Sequence, residues 1–329
     1  MPTPSRATVH VNRPLTMISV AFLQAQTNFV ADRVFPQLNV PKRSDRYFLY
    51  DRGEFNRDDM KERAPGTEAA GGDISIDNTP TYFARYYSYK RDIDDQVREN
   101  YDEPLNPDTE ATTYLTHKAL IRKERLWVTK FLTTGIWATD VTGVAAAPGA
   151  SQFLQWNNPA SDPITDIRAG KTAVLESTGF EPNVLVLGKR VWDVLVDHPD
   201  IVGRIDRGQT PGGPAMAQTQ NLAALLELEE VLVMKAIHNS AAEGQTNVHA
   251  FIGGKVALLA YRPQSPGLMV PSAGYTFNWT GLSGSGPGGT RIKKFRMEPI
   301  EADRVEISMA FDQRVIANAL GYFFATAVA

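Results

Sequence analysis

The spacing of apolar positions changes several times along the chain. Up to residue 46, short apolar pieces at 15–23 and 29–35 alternate with prolines at 2, 4, 14, 36 and 41, which predicts an arm lying across other structure. Residues 47–91 then carry aromatics at a period of two, Phe48 and Tyr50 followed by Tyr82, Phe83, Tyr86 and Tyr87, the pattern of paired strands. Between the two aromatic runs lie about thirty charged and small residues, including RAPGTEAAGGDISI at 63–76, far more than an ordinary hairpin loop holds. The expectation is one long extended hairpin with a polar tip.

From 108 to 132 the stretch DTEATTYLTHKALIRKERLWVTKFL has no Pro or Gly, follows Pro107, and places acids in its first turn and Lys130 near its end. These features predict a helix, about 37 Å long at about 1.5 Å per residue. Leu115, Ala119, Leu126 and Phe131 form a narrow apolar stripe beside a broad charged face, so a half-exposed rod is expected. A small-residue linker, ATDVTGVAAAPGASQ at 138–152, follows.

Thereafter helical and strand patterns alternate. Ile164, Ile167, Lys171 and Val174 mark a helix, 184–187 a buried strand, 191–196 and 222–228 two more helices, and 231–234 and 256–261 further strands. Residues 163–261 thus read as a compact sheet covered by helices, interrupted by a loop at 202–220. After a turn-rich run come 290–297 and 303–311, the second with Val305, Ile307, Met309 and Phe311 on one face and Glu306, Ser308 and Asp312 on the other. These are long antiparallel strands by pattern, and the chain closes on an apolar run at 315–329 with no internal repeat.

Composition narrows the class. With 329 residues, 43% hydrophobic and 22% charged, the chain is that of a soluble globular protein of one large domain or two smaller ones. It has no cysteine, which removes disulfides, thiolate metal sites and cysteine nucleophiles and suits a reducing cytoplasm. The first residues lack the pattern of a signal peptide, and no run of eighteen apolar residues predicts a membrane span. A net charge of −3 with intermixed signs argues against sequence-specific nucleic-acid binding, though not against facing nucleic acid at a distance.

Candidate chemistry dissolves on inspection. His10, His117, His198, His238 and His249 show no ligand spacing. GSGPGG at 284–289 spells a dinucleotide fingerprint but precedes a strand pattern rather than a helix, and AGKT at 169–172 lacks the first glycine of a phosphate loop. GLSGS at 281–285 misses the nucleophile elbow, and NWT at 278–280 spells a glycosylation acceptor without a secretion signal. RDIDD at 91–95 gathers three carboxylates without the glycine or ligand alternation of a calcium loop, so a solvated charged corner is expected. The basic face of the long helix, Lys118, Arg122, Lys123, Arg125 and Lys130 with Glu124 among them, reads equally as a solvated face and as a contact surface. No catalytic residue, cofactor or metal is predicted.

The order of parts, together with ERAPGTEA, GFEPNVLVLGKRVWDVLVDHPDIVGRI, LAALLELEEVLVMKAIHNSAAEGQ and FDQRVIANALGYFFATAVA, resembles the major capsid proteins of tailed bacteriophages, the HK97-type fold. The resemblance covers nearly the whole chain. It implies an α+β subunit with an N-terminal arm at 1–46, an extended E-loop at 47–91 and a P-domain at 92–162 with its spine helix at 108–132. It further implies a compact α/β A-domain at 163–261, P-domain strands at 262–318 and a C-terminal segment at 319–329 packing back on the A-domain.

An isolated hairpin is marginal in water, so the loop would rest on an adjacent subunit. Tyr82, Phe83, Tyr86 and Tyr87 would be buried there, with Arg52, Arg57, Asp58, Asp59, Glu62, Arg63 and Glu68 at the rim. Gly66, Gly71 and Gly72 would let the tip bend differently in hexamers and pentamers. Gly203, Arg204, Asp206, Arg207, Gly208, Pro211, Gly212 and Gly213 would line the capsomer centre. The implied partners are copies of the chain itself, a separate scaffolding protein, a portal protein, a decoration or cement protein, and packaged DNA in non-specific proximity, with no membrane. The implied location is the virion capsid, assembled in the host bacterial cytoplasm. Lys61 lies in the loop, but no motif pairs it with a cross-linking partner. Two alternatives stand beside this reading: an encapsulin-like shell packaging cargo enzyme, and an α/β enzyme with a loop-borne site in 163–261.

Overall fold

In the computed structural model, residues 23–101, 105–207, 218–267, 269–282 and 289–329 are described. The strand Ala302–Val315 is the axis of a five-stranded sheet. Arg85–Asp94 runs antiparallel along one edge of it, with Tyr89 opposite Ile307. Along the other edge Thr290–Met297 and Gly274–Trp279 follow one another in tandem, and Gln37–Val40 of the arm adds a parallel strand outside the second.

The long helix, Pro107–Phe131, lies on this sheet. Asn106 caps it by accepting from the backbone N–H groups of Asp108 and Thr109, Pro107 occupies the first turn, and Asp108, Glu110 and Lys130 sit where the helix dipole favours their charges. Ala111 and Leu115 bury against Ile93, Val305 and Ile307.

Past its midpoint the helix buries a different side. At about 100° per residue, Glu124, Trp127 and Phe131 lie roughly 160–220° round the axis from Ala111. They meet the arm and the second sheet instead. This corrects the expected single stripe: Leu126, in phase with Leu115, is only half-buried, and Trp127 takes its place. The side still turned to the five-stranded sheet carries cations over rings, Arg122 above Tyr87 at 5.1 Å and Lys123 above Phe311 at 5.5 Å, while Lys130 reaches Asp312 at 3.4 Å. Much of the basic face is therefore taken up inside the chain.

The second sheet has six strands in the order Glu230–Met234, Val184–Gly188, Ala257–Ala260, Gly321–Ala325, Thr139–Val144 and Gln152–Leu154. Alternate residues fill two cores. Leu185, Leu187, Leu259 and Phe324 pack under the helix Pro163–Thr178 with Ile164, Ile167 and Trp156. Val184, Val186, Leu258 and Phe323 face the arm residues Val30, Val34 and Phe35 and the end of the long helix. Two parts of this sheet differ from expectation. The stretch 138–152, read as a linker in the P-domain, supplies the strand Thr139–Val144 and leads into Gln152–Leu154. Its apolar alternation is hidden because a side chain at Gly143 would collide with the backbone carbonyl of Thr326, so a glycine stands where the pattern calls for an apolar residue. The C-terminal residues Gly321–Ala325 insert between two strands from elsewhere in the chain rather than merely covering the sheet.

Candidate assembly surface

The region 47–91 is not one hairpin. Arg85–Asp94 leaves it to pair with Ala302–Phe311, and among the described residues the projecting part is held only at its root. There Ser44–Arg46 pairs with Thr81–Phe83, and Leu49–Tyr50 with Ile76–Asp77. Beyond the root come one helical turn, Arg52–Phe55, capped by Asp51, and then residues 57–75 with no helix or strand. Glu54 ties the two sides together by accepting from the Ser75 backbone N–H at 2.6 Å and hydroxyl at 2.8 Å. The tip turns where Thr67 N–H donates to the Ala64 carbonyl, and Gly66, at φ +82°, occupies a conformation that other residues adopt only with strain. Gly71 and Gly72 have open space around them.

Among the described residues almost nothing covers this projection. Phe48 is 63% exposed and Met60 92%, and Tyr50, Phe55, Ile74, Ile76 and Phe83 are exposed with them. Arg57, Asp58, Asp59, Glu62 and Glu68 are exposed and meet no opposite charge among the described residues; Arg52 and Arg63 are exposed too, Arg63 donating to the Thr67 carbonyl at 2.5 Å. The projection is an apolar spine with a charged fringe, the composition of a surface awaiting a partner.

The four aromatics singled out from sequence fare differently. Tyr82 is only 5% exposed, stacked on Phe277 at 4.6 Å with its hydroxyl donating to the Lys42 carbonyl, so it belongs to its own chain's core and is withdrawn from the contact set. Its strand pairs at the root, where the body is close enough to bury it. Phe83 stays exposed under the Arg43 guanidinium, 4.9 Å away. Tyr86, bonded to the Ser308 hydroxyl at 2.7 Å, and Tyr87, packed on Phe311, sit on the five-stranded sheet and not on the projection. Phe55, Met60, Ile74 and Ile76 are exposed on the projection as well, and their only signal in the sequence is that lone apolar residues interrupt a polar run.

Of the second predicted cluster, Gly203, Arg204, Asp206 and Arg207 lie in the helix Pro199–Arg207, which corrects the loop expected from 202. Ile201 anchors that helix in the core. Gly208, Pro211, Gly212 and Gly213 lie outside the described residues. Beside this helix Ser161, His198 and Asp200 come together like a nucleophile, base and acid. The Asp200 backbone N–H donates to His198 Nδ1 at 3.3 Å, which leaves the ring proton on Nε2, facing Ser161 Oγ at 3.2 Å. The Ser161 hydroxyl donates to the Asn158 carbonyl at 2.6 Å, and both side chains are buried. The imidazole has no free lone pair toward the serine, so the group fastens a turn to a helix and has no base to activate a nucleophile.

The remaining motifs are also structural. Asp92 pairs with Arg304, Asp94 caps the helix Asp95–Glu99, and Asp95 takes both Arg296 nitrogens, so the acids of RDIDD each have a separate task. Asp108 binds Arg98 through two bonds of 3.0 Å and Lys294 at 2.8 Å, and these cations pull its carboxyl down to about 2. Lys171 of AGKT is buried in a helix, donating to the Leu226 and Glu227 carbonyls at the end of Thr219–Leu225. Among the described residues no group of three acids or histidines could hold a metal ion, and no helix is long and apolar enough to cross a membrane.

No family model matches the chain. It is 27% identical over 326 residues, 99% of each chain, to the major capsid protein of Pseudomonas phage JBD67. Among solved structures it resembles a phage-related protein from Bordetella bronchiseptica RB50, at a TM-score of 0.67 and 18% identity over 92% of this chain and 94% of the other. It also resembles the capsid of cyanophage P-SCSP1u, at 0.58 and 13% over 98% of each. The SrpI encapsulin of Synechococcus elongatus PCC 7942 follows at 0.55 and 10%, over 99% of this chain and 96% of the other. The fold is the HK97-like capsid fold of phage shell proteins.

Proposed function

We propose that this chain is the major capsid protein of a tailed bacteriophage, a structural subunit that associates with copies of itself as hexamers and pentamers to form the icosahedral head around double-stranded DNA. The observation that carries this reading is the end-to-end similarity to the JBD67 capsid protein, 27% identical over 326 residues and 99% of each chain. The projecting hairpin supports it physically. An exposed apolar spine anchored, among the described residues, only at its root gains little from its own chain and a great deal from a neighbour. The contact surface centres on Phe48, Tyr50, Phe55, Met60, Ile74, Ile76 and Phe83, with Arg57, Asp58, Asp59, Glu62 and Glu68 at its rim. Residues 203–213 would lie toward the capsomer centre. A separate scaffolding protein, a portal protein and a decoration protein are the proposed further partners, and the host cytoplasm the place of assembly. The role is structural, with no catalytic turnover.

The test is negative-stain microscopy of the purified full-length chain, alone and co-expressed with products of neighbouring genes. Closed shells of uniform diameter are expected; a folded monomer under every condition would overturn the proposal. The likeness to the SrpI encapsulin favours a second reading, a shell that packages protein. Particle contents separate the two, since DNA supports the phage head and a co-purifying enzyme the compartment.

A further inference from the structure

Glu124 faces the arm rather than solvent. Its carboxyl, 1% exposed, accepts the Val30 N–H at 3.1 Å from each oxygen and the Ala31 N–H at 2.9 Å, holding the start of the turn Ala31–Val34. No cation touches it among the described residues. Lys123, its neighbour, lies 2.7 Å from Asp32, and Arg33 is bonded to Glu230, which Arg262 also reaches. His117, about two turns earlier on the helix, is set edge-on to Phe29 at 6.0 Å. Among the described residues these groups, from the arm, the long helix and the sheet edge, are the charges facing the site. The other walls are Gln26, Thr27, Phe29, Ala31 and Leu120, around a cavity of about 440 Å³ between arm and helix.

A carboxylate buried this deeply, with no cation against it and the Asp32 carboxylate nearby, is costly unless it takes a proton. We propose that Glu124 is a proton-operated latch: seating the arm residues Val30 and Ala31 on the long helix takes up a proton at this carboxyl, so the arm is held most firmly in acid and loosens as pH rises toward neutrality. Burial pushes the Glu124 carboxyl up to about 7 from an ordinary 4.5, with Asp32 adding to the rise and the two N–H groups and Lys123 opposing it. A folded value above the free one means that the stabilisation is complete below about pH 4.5 and gone above about 7. The strap matters because the arm continues through Gln37–Val40 to the hairpin root at Ser44–Arg46, so the latch sits upstream of the assembly surface on the same length of chain. The latch belongs to the single chain and does not rest on what that chain assembles into.

The test is amide hydrogen exchange of the full-length protein from pH 5 to 8, corrected for intrinsic rates, in peptides covering 26–36, for wild type and Glu124→Gln. Burial and Lys118 hold His117 below its ordinary value, so its titration works in the opposite sense, and the difference between the two proteins isolates Glu124. One linked proton makes arm opening in wild type, relative to the variant, rise up to about tenfold per pH unit from pH 5 to 6.5 and level off above about 7. An equal pH dependence in both proteins overturns the latch. Should the variant not fold, wild type decides alone: a slope confined to 26–36 supports the proposal, and the same slope in the strand Ala257–Ala260 overturns it.

Discussion

Strands Val184–Gly188 and Ala257–Ala260 expose none of their side chains, whereas the hairpin projecting from Ser44–Arg46 exposes nearly all of its large apolar ones. Both regions use ordinary strand-forming residues. The difference lies in what the described residues bring to them: helices on one face of the six-stranded sheet and the arm and long helix on the other, against a two-ladder root and then nothing for the hairpin. A side chain buried within the subunit stabilises the subunit, and one left on a projection stabilises only an assembly. Mutations in the two regions should therefore separate folding from association.

The largest separation comes from the core. Phe324, ringed by Phe153, Trp156 and Tyr322, fills the middle of the six-stranded sheet, so Phe324→Ala should cost about 3–5 kcal/mol in denaturant unfolding. Deleting residues 55–76 should have the opposite profile, leaving a soluble subunit with nearly its full unfolding free energy that forms no closed shells in the microscope. An intermediate effect lies at the helix start. Asp108→Asn removes a carboxylate shared by Arg98 and Lys294 and should cost about 1 kcal/mol, after allowance for its partial exposure. Because the folded carboxyl titrates near 2 and the free one near 3.8, that stability is present above about pH 3.8 and lost as pH falls through about 2, which acid titration of wild type against the variant would show. The smallest effect on folding belongs to Met60→Ala, within about 0.5 kcal/mol, with the yield of shells falling all the same.

Which features could be read from sequence follows the same division. The long helix shows itself through its capped, proline-led start, and Val305, Ile307, Met309 and Phe311 show a strand because apolar residues alternate over 305–311 within Ala302–Val315. Thr139–Val144 stays hidden because the close approach at Gly143 removes an apolar residue from the pattern. The helix stripe misleads because periodicity assumes one buried side, and this helix has two neighbours in different directions. Glu124 looks like part of a charged face for that reason. The proposed assembly surface is the least legible, since a surface that its own chain leaves exposed need show no period: Tyr82 and Phe83 are adjacent aromatics, yet one stacks in the core and the other stays exposed.

The most direct measurement compares hydrogen exchange across residues 47–83 in the dissociated subunit and in the assembled particle. Residues 49–50 and 76–77 should exchange rapidly in the subunit and slow by at least about a hundredfold in the particle, while 184–188 stay protected in both. Equal protection of the hairpin in the two forms would contradict the account.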